Sequence, residues 1–266
     1  MPGSMSLLSW ILLFSVLGGV LSVIAASIFL AFPDRHRDAL LPHFVSFAIG
    51  ALLGAAFLAL IPHAMKDGHA IEFHQLGLTL LIGVLGFFVM EKLVLWRHCH
   101  EHACEAHSPH EPTEQQRQDA AGKLILVGDA IHNLVDGVLI AAAFMTDFHL
   151  GVITSLAVAA HEIPQEVGDF AVLLHSGFTR RKAFIFNILA SITTVFGALI
   201  AYWSLRDALH ILPYVLAIAA SSFIYIAVAD LIPGLHKRVE FRETLRQIIL
   251  ISAGVIVIYL AHATLH

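Results

Sequence analysis

Two short stretches of the sequence carry the side chains that divalent metals prefer. One is GDAIHNLVDG at residues 128–137, which contains His132 and Asp136, and the other is HEIPQE at residues 161–166. Both lie inside apolar segments long enough to cross a bilayer, where each charged group costs about 2.5–3.5 kcal/mol on insertion scales. Because packing does not explain so many polar groups in two neighbouring segments, we expect these stretches to bind or pass an ion.

The spacing within each stretch places ligands on one face of a helix, because residues four apart lie above one another. His132 and Asp136 form one such pair, and His161 and Gln165 form another. Imidazole suits zinc and other first-row metals, whereas carboxylates widen the choice toward iron, manganese and cadmium. If the two helices face each other, we expect a metal site built from His132, Asn133, Asp136, His161, Glu162, Gln165 and Glu166.

The acidic side chains of these stretches lack a fixed cation. No Lys or Arg lies in the middle of any predicted span, so the acids are either protonated or neutralised by a mobile cation. Pro164 has no amide proton and clashes with the carbonyl of Ala160, which predicts a bend beside His161. Further candidates for a metal pathway lie nearer the ends of the spans: His63, Asp129 and Asp230.

Composition indicates the elements that must position these residues. The chain has 266 residues, of which 58% are hydrophobic and 13% charged, whereas soluble proteins have about 25% charged residues. Apolar runs of about 20 residues recur throughout, which is typical of an all-α polytopic membrane protein. We predict a single transmembrane domain over residues 1–266 with eight spans: 7–32, 44–65, 76–96, 124–146, 150–175, 183–204, 211–235 and 245–262.

The basic residues predict the orientation. Of the 15 Lys and Arg residues, 13 fall on one side of the predicted spans and only Lys66 and Arg206 fall on the other. The basic side is expected to be cytosolic, which places both termini outside. The longest connection, residues 97–122, would then be a cytosolic His-rich loop with His98, His100 and His102 as candidate metal ligands. The spacing of its ligands matches no zinc-finger pattern. The loop is therefore either a solvated segment with weak metal affinity or a metal buffer or sensor.

A weak internal repeat is visible in the chain. Leu60-Ile61-Pro62 recurs as Leu231-Ile232-Pro233 with an offset of 171 residues, and the predicted directions of those two spans are opposite. We therefore expect an inverted repeat in a 3+2+3 arrangement, with spans four and five as the central pair. Gly50 and Gly54 form a GxxxG pair, which predicts close packing of the second span against a neighbour.

At these residues the sequence resembles the ZIP (Zrt/Irt-like protein) family of divalent-metal transporters. HNLVDG at 132–137 is similar to that family's fourth-span signature, and HEIPQEVGDF at 161–170 is similar to the fifth-span signature of its LIV-1 branch. The resemblance implies uptake of zinc or a related metal into the cytosol through a two-metal site between spans four and five. By that resemblance one metal is held by His132, Asp136, His161 and Gln165, and the other by Asn133, Asp136, Glu162 and Gln165.

Gln165 departs from the branch, which usually has histidine at this position. A glutamine oxygen is neutral and binds metal more weakly than imidazole, so the sequence does not determine which metal is preferred. We expect Zn²⁺ or a related divalent metal as transported substrate, with no prosthetic group. The expected partners are divalent metal ions, the lipid bilayer and a second copy of the chain in a homodimer, but no nucleic acid.

Two other functions are alternatives to transport. HEIPQ is superficially similar to HExxH, the motif of zinc hydrolases, but the second histidine is missing and Pro164 interrupts the pattern. A metal sensor without transport is the other alternative, and the inverted repeat argues against it because such symmetry serves alternating access. We therefore expect a transporter and not an enzyme. The short chain and the lack of a recognisable targeting segment favour a cell membrane, specifically a bacterial inner membrane.

Overall fold

The computed structural model describes residues 5–66, 72–100, 114–236 and 240–265, and all regular secondary structure in these ranges is helical. The α-helices are α1 Leu7–Gly18, α2 Val20–Leu30, α3 Asp34–Gly54, α4 Ile61–Ala64, α5 Phe73–His100, α6 Glu114–Thr146, α7 Phe148–His175, α8 Arg180–Leu205, α9 Leu212–Tyr225, α10 Ile232–Leu235 and α11 Phe241–Leu265. Two π-helices, Ala55–Leu60 and Ile226–Leu231, and a 3₁₀-helix, Leu209–Ile211, join some of them.

Seven helical segments of the described residues are long and apolar enough to cross a bilayer. They are Leu7–Leu30, Arg35–Ala64, Phe73–Leu93, Ile125–Thr146, Arg180–Leu205, Leu209–Leu235 and Phe241–Thr264. Helix α7 has 28 residues and carries the HEIPQE stretch, and it is not among these seven segments. A polytopic all-helical protein is thus confirmed, whereas the eighth span, the 3+2+3 plan and the orientation of the termini stay predictions.

Helices extend into both ends of the connection predicted at residues 97–122, whose cytosolic position stays a prediction. Helix α5 continues to His100, and α6 begins at Glu114. The residues just before the apolar part of α6 are mostly Glu, Gln, Arg and Ala, which favour a helix even without apolar periodicity. Of the candidate loop ligands, His102 lies outside the described residues, and only the backbone is described at His98 and His100.

Glycines let α3 and α11 cross with their backbones in contact. A Cβ atom at Gly50 of α3 would lie 2.0 Å from the carbonyl oxygen of Ile251 on α11, and one at Gly254 would lie 2.3 Å from the oxygen of Phe47. At Gly54, one turn further along α3, it would lie 3.2 Å from the side chain of Ile258. The prediction that the GxxxG pair packs closely against a neighbour is confirmed, and that neighbour is α11.

The two π-helices occupy equivalent places in the second and seventh predicted spans. Ala55–Leu60 and Ile226–Leu231 are offset by 171 residues at both ends, the same offset as the Leu-Ile-Pro sequences. Each ends in a bond to the fifth residue back, from the Ile61 amide to the Ala56 carbonyl and from Ile232 to Ala227. Proline follows at once in both cases, and its missing amide proton favours such a local rearrangement. This match adds structural support for the internal repeat.

Asp147 fixes the start of α7, directly after α6 ends. Its carboxylate Oδ1 accepts hydrogen bonds from the backbone amides of His149 at 2.8 Å and Leu150 at 3.0 Å. Partial burial works to raise the pKa of Asp147, but these two hydrogen bonds, with the nearby imidazoles of His149 and His63, outweigh it and lower that pKa. The cap is therefore stronger in the ionised form, which also suits the positive end of the helix dipole.

Asp147→Ala is expected to destabilise the folded protein by about 1 kcal/mol, the usual cost of losing an N-cap side chain. Because the pKa of Asp147 is lower in the folded state, the stabilisation is present above the unfolded-state pKa of about 3.9 and is lost as pH falls through the folded-state pKa. Thermal unfolding in detergent at pH 7 measures the loss, with Asp147→Asn keeping most of the cap. Asp207→Ala, at an exposed position, is the matched control, and an equal melting temperature for both alanine variants would contradict the capping role.

Candidate metal site

Helices α6 and α7 bring together two imidazoles and two carboxylates. One ligand atom from each of His132, Asp136, His161 and Glu162 lies within 4.8 Å of all the others. The Nε2 atoms of His132 and His161 are 3.2 Å apart, and the Oδ2 atom of Asp136 lies 3.2 Å from Nε2 of His161. The expected meeting of the two stretches therefore occurs, and four of the seven candidate ligands form its centre.

The fit of this cluster to a cation rests on its two buried carboxylates. The side chains of Asp136 and Glu162 are both 1% exposed, and the near partners of their oxygens are the two imidazoles. Within the described ranges no carboxylate oxygen of either residue accepts a hydrogen bond of ordinary geometry. Buried carboxylates without donors are costly, and a divalent cation among them would remove that cost.

The imidazole of His161 is held in the orientation that a metal ligand needs. Its Nδ1 atom lies 3.0 Å from the carbonyl oxygen of Ala157, one turn earlier on α7, and must donate a proton to it. In a neutral ring the Nε2 atom then keeps its lone pair, and it points into the cluster. Helix α7 is continuous through Pro164, and the bend predicted beside His161 stays a prediction.

Two other candidate ligands are engaged with α8. The amide of Asn133 donates to Oδ1 of Asp129 at 2.8 Å, and its oxygen accepts a hydrogen bond from the hydroxyl of Thr194 at 2.7 Å. Glu166 is fully buried and accepts a hydrogen bond from the hydroxyl of Ser191 at 3.0 Å. These bonds give Asn133 and Glu166 a place in the α6–α7–α8 interface, and their role as metal ligands stays a prediction.

A cavity of about 440 Å³ reaches the cluster at His132, whose side chain is 16% exposed, whereas His161 is completely buried. The side chain of Gln165 lines this cavity, and so do those of Glu91, Asp169 and Asp230. The cavity opens near the first turns of the apolar part of α6, which is the side that the basic residues predict to be cytosolic. Of the predicted pathway residues, Asp230 lies on this cavity, whereas Asp129 is buried against Asn133.

One hydrogen bond across this cavity was not predicted from the sequence. The hydroxyl of Tyr225, at the end of α9, donates a short hydrogen bond to a carboxylate oxygen of Glu91 on α5. Tyr225 is followed directly by the π-helix that carries Asp230. The hydrogen bond therefore lies close in the chain to a second acidic residue of the cavity. The position of Glu91, an acidic residue near the end of an apolar segment, could have marked it as a candidate. Nothing in the sequence pairs it with Tyr225.

Comparison with known proteins identifies the family. Residues 96–262 match the family model described as ZIP zinc transporter, which is more than half of the chain. The chain belongs to the ZIP zinc transporter family. The resemblance predicted from the central motifs is thereby confirmed, and proteins of the LIV-1 branch, including zinc transporter ZIP4 of Homo sapiens at 29% identity, are among the relatives.

Several animal members of the ZIP family are similar over most of this chain. Zinc transporter ZIP13 of Pongo abelii is 32% identical over 232 residues, which cover 83% of this chain and 66% of that protein. Zinc transporter zipt-7.2 of Caenorhabditis elegans is 30% identical over 268 residues, 83% of this chain and 58% of its own length. ZIP13 of Gallus gallus is 30% identical over 271 residues, 84% of this chain and 74% of its own length.

The chain thus spans less than two thirds of the first two of these ZIP proteins. Family membership and the apolar helices support a multi-pass membrane protein. All of the named relatives are animal proteins, so they give no support to the bacterial inner membrane that the sequence analysis favoured.

Proposed function

We propose that the protein carries a divalent transition metal, zinc in the first place and also cadmium, iron or manganese, across a membrane into the cytosol. The observation that carries this proposal is the buried cluster of His132, Asp136, His161 and Glu162 between α6 and α7. Two buried carboxylates beside two imidazoles suit a cation that binds reversibly, because mixed nitrogen and oxygen ligands bind less irreversibly than thiolates. Membership of the ZIP zinc transporter family supports the same proposal.

We further propose that the site is binuclear, with Asp136 shared between the two metals. Each carboxylate places one oxygen near the two imidazoles, Oδ2 of Asp136 and Oε1 of Glu162. The second oxygen of each is also buried without a hydrogen-bond donor among the described residues, so it is left for a second metal. Gln165 lines the cavity that reaches His132. In this position it would complete the coordination shell of the second metal. In this proposal Asn133 and Glu166 exchange their hydrogen bonds to Thr194 and Ser191 for contact with the second metal or its water.

The acid-lined cavity supports a route from the cluster to the cytosol. Glu91, Asp169 and Asp230 give oxygen ligands along its wall, and such weak sites allow an ion to move onward. The route requires the predicted topology, with eight spans in a 3+2+3 plan, both termini outside and residues 97–122 on the cytosolic side. The homodimer and the role of the His-rich connection as a metal acceptor belong to the same proposal.

Uptake into proteoliposomes tests the proposed function directly. Purified protein is reconstituted, and uptake of Zn²⁺, Cd²⁺, Fe²⁺ and Mn²⁺ is compared with that of empty vesicles. Saturable uptake of at least one metal supports transport and ranks the substrates. Tight binding without uptake by folded protein would favour a sensor, and cleavage of a peptide substrate lost on Glu162→Gln would favour the zinc hydrolase.

Gln165→His is expected to tighten zinc binding, because it replaces a neutral amide oxygen with imidazole on the wall next to His132. We expect a gain of about tenfold in affinity, the size of effect usual for changes around a bound metal. Equilibrium dialysis with Zn²⁺ measures it, and Gln75→His, at an exposed position on α5, is the matched control. Equal affinity of Gln165→His and the parent protein would remove Gln165 from the ligand set.

A further inference from the structure

A second pair of histidines lies at the opposite end of the helix bundle. The rings of His63 on α4 and His262 on α11 have centroids 5.6 Å apart and are nearly perpendicular, at 78°. The Nδ1 atom of His63 lies 2.8 Å from the carbonyl oxygen of Ala59 and donates a proton to it, so the lone pair of a neutral ring is on Nε2. This is the same arrangement that orients His161 in the central cluster.

One member of the pair, His63, lies on the wall of a second cavity. His63 is 7% exposed and lines a cavity of about 390 Å³ together with Lys66, Thr146 and Asp147. The Asp147 carboxylate shares the wall of this cavity with His63, and its Oδ1 lies 3.7 Å from Nδ1 of His149. One imidazole, one carboxylate and the ammonium group of Lys66 therefore line the mouth of this cavity, and the ring of His262 packs against that of His63.

This mouth is separate from the central cluster. Thr146 lines it and lies 14 residues beyond His132 on the same helix, which is about 21 Å at 1.5 Å per residue. Between the two, α6 presents the buried apolar side chains of Leu139, Ile140 and Ala143. By the predicted orientation this mouth faces outside, so an ion that enters here would meet His63 before His132.

We propose that His63 and His262 bind a divalent transition metal at this mouth and act as a low-affinity capture site that loads the central cluster. Two imidazoles leave half of a tetrahedral coordination shell to water, with Asp147 as an outer acceptor. In the described part of the chain, only the central cluster brings ligand atoms of three or more His, Cys, Asp or Glu side chains within 4.8 Å of one another. The outer site has fewer ligands and is therefore the weaker of the two. Weak binding suits capture, because the ion must leave again.

The capture role rests on the proposed transport function, whereas metal binding at the pair can be tested without it. Asp136→Ala serves as the parent, because it disables the central cluster, and His63→Phe and His262→Phe are added to it singly. Phenylalanine keeps a ring of similar size in each place. Co²⁺ binding is followed by its visible absorption, and Cd²⁺ binding by equilibrium dialysis.

We expect each phenylalanine variant to weaken the residual binding by about tenfold or more, since losing even a supporting group around a metal costs that much. His262→Cys should keep Cd²⁺ binding, because a thiolate is a soft ligand. His74→Phe, at an exposed position at the start of α5, should leave binding unchanged. Residual binding that is equal in the parent and in both phenylalanine variants would overturn the outer site and assign the paired rings to packing.

Uptake by the single variants with an intact Asp136 separates this proposal from the proposed function. We expect His262→Phe to raise the apparent KM several-fold and to leave the maximal rate unchanged, because the central cluster is intact. An unchanged KM would overturn the capture role while the transport function stands. Uptake absent from the wild-type protein, with Co²⁺ binding still lost on His63→Phe, would overturn the transport function and leave the outer site in place.

Discussion

Asp136→Ala is expected to abolish saturable metal uptake and leave a folded protein. Asp136 is the carboxylate closest to the imidazole of His161 and also lies 3.7 Å from Nε2 of His132, so its removal takes away a ligand from the middle of the cluster. Loss of a supporting group alone costs about 10–100-fold in metal affinity, and loss of the ligand itself should cost more. No other described carboxylate takes its place, since Glu162 already contributes the second acid of the cluster.

The stability of the metal-free protein distinguishes this loss from misfolding. The Asp136 carboxylate is buried with no hydrogen-bond donor of ordinary geometry among the described residues, so its removal relieves a desolvation cost. We therefore expect the metal-free variant to melt at the same temperature as the wild-type protein or higher. A clear drop in melting temperature would mean that Asp136 supports the fold, and the uptake result would then carry no information about the site.

Zinc-induced stabilisation provides a second reading of the same variant. A ligand at 100 times its dissociation constant stabilises the folded state by about 2.7 kcal/mol. The wild-type protein should show such a rise in melting temperature with Zn²⁺, and Asp136→Ala should lose it. Asp207→Ala removes an exposed carboxylate after α8 and should keep both the rise and the uptake. Uptake by Asp136→Ala at the wild-type rate would remove the cluster from the transport path.

The centre of this site could be predicted from the sequence because helix geometry decides it. His132 and Asp136 are four residues apart, so any helix through them places both on one face. The pairing of that face with His161 was suggested by the repeated spacing of ligands, and the 3.2 Å between the two Nε2 atoms agrees with it. Strong periodic signals within one helix thus predicted which residues meet.

The environment of the neighbouring polar residues could not be predicted in the same way. Asn133 and Glu166 are hydrogen-bonded by Thr194 and Ser191, both on α8. Their partners depend on how α8 is rotated about its axis, and apolar residues cover most of that helix, so its sequence does not determine the rotation. The hydrogen bond between Tyr225 and Glu91 was not predicted either, because it joins two helices that are far apart in the chain.

Backbone irregularities were also beyond the sequence analysis, although their cause lies in the sequence. The Leu-Ile-Pro repeat was recognised, but the π-helix that precedes each copy was not, because proline permits several local rearrangements. The early start of α6 at Glu114 was missed because the predicted spans were bounded by apolar character. Helix propensity extends a helix beyond the apolar segment, and hydropathy does not register that extension.

The contact between α6 and α8 leads to the second large prediction, that Gly137→Ala destabilises the whole protein. A Cβ atom at Gly137 would lie 1.8 Å from the carbonyl oxygen of Thr194 and 2.8 Å from the backbone amide nitrogen of Ala198. The contact is reciprocal, since a Cβ atom at Gly197 would lie 1.9 Å from the carbonyl oxygen of Leu134. Both obstacles are backbone atoms, so the clash is relieved only if the two helices move apart.

We expect the cost of Gly137→Ala to lie at or above the upper end of the range of about 1–3 kcal/mol that overpacking usually causes. The separation of α6 from α8 also disturbs the hydrogen bond between Asn133 and Thr194, one turn away from Gly137. Gly137→Ala should therefore lower both the stability of the metal-free protein and its stabilisation by Zn²⁺. Asp136→Ala, in contrast, should lose only the stabilisation by Zn²⁺. Thermal unfolding in detergent with and without Zn²⁺ measures both effects.

Gly77→Ala is the matched control for this prediction. It makes the same substitution on α5, where no heavy atom of the described chain lies within 4 Å of the added Cβ beyond the neighbours of the glycine itself. Alanine favours a helix over glycine by about 1 kcal/mol, so Gly77→Ala should melt at the wild-type temperature or slightly above it. Similar melting temperatures for Gly77→Ala and Gly137→Ala would show that α6 and α8 do not cross as closely as the structure places them. A large drop confined to Gly137→Ala and Gly197→Ala would establish this crossing as the contact that sets the position of Asp136.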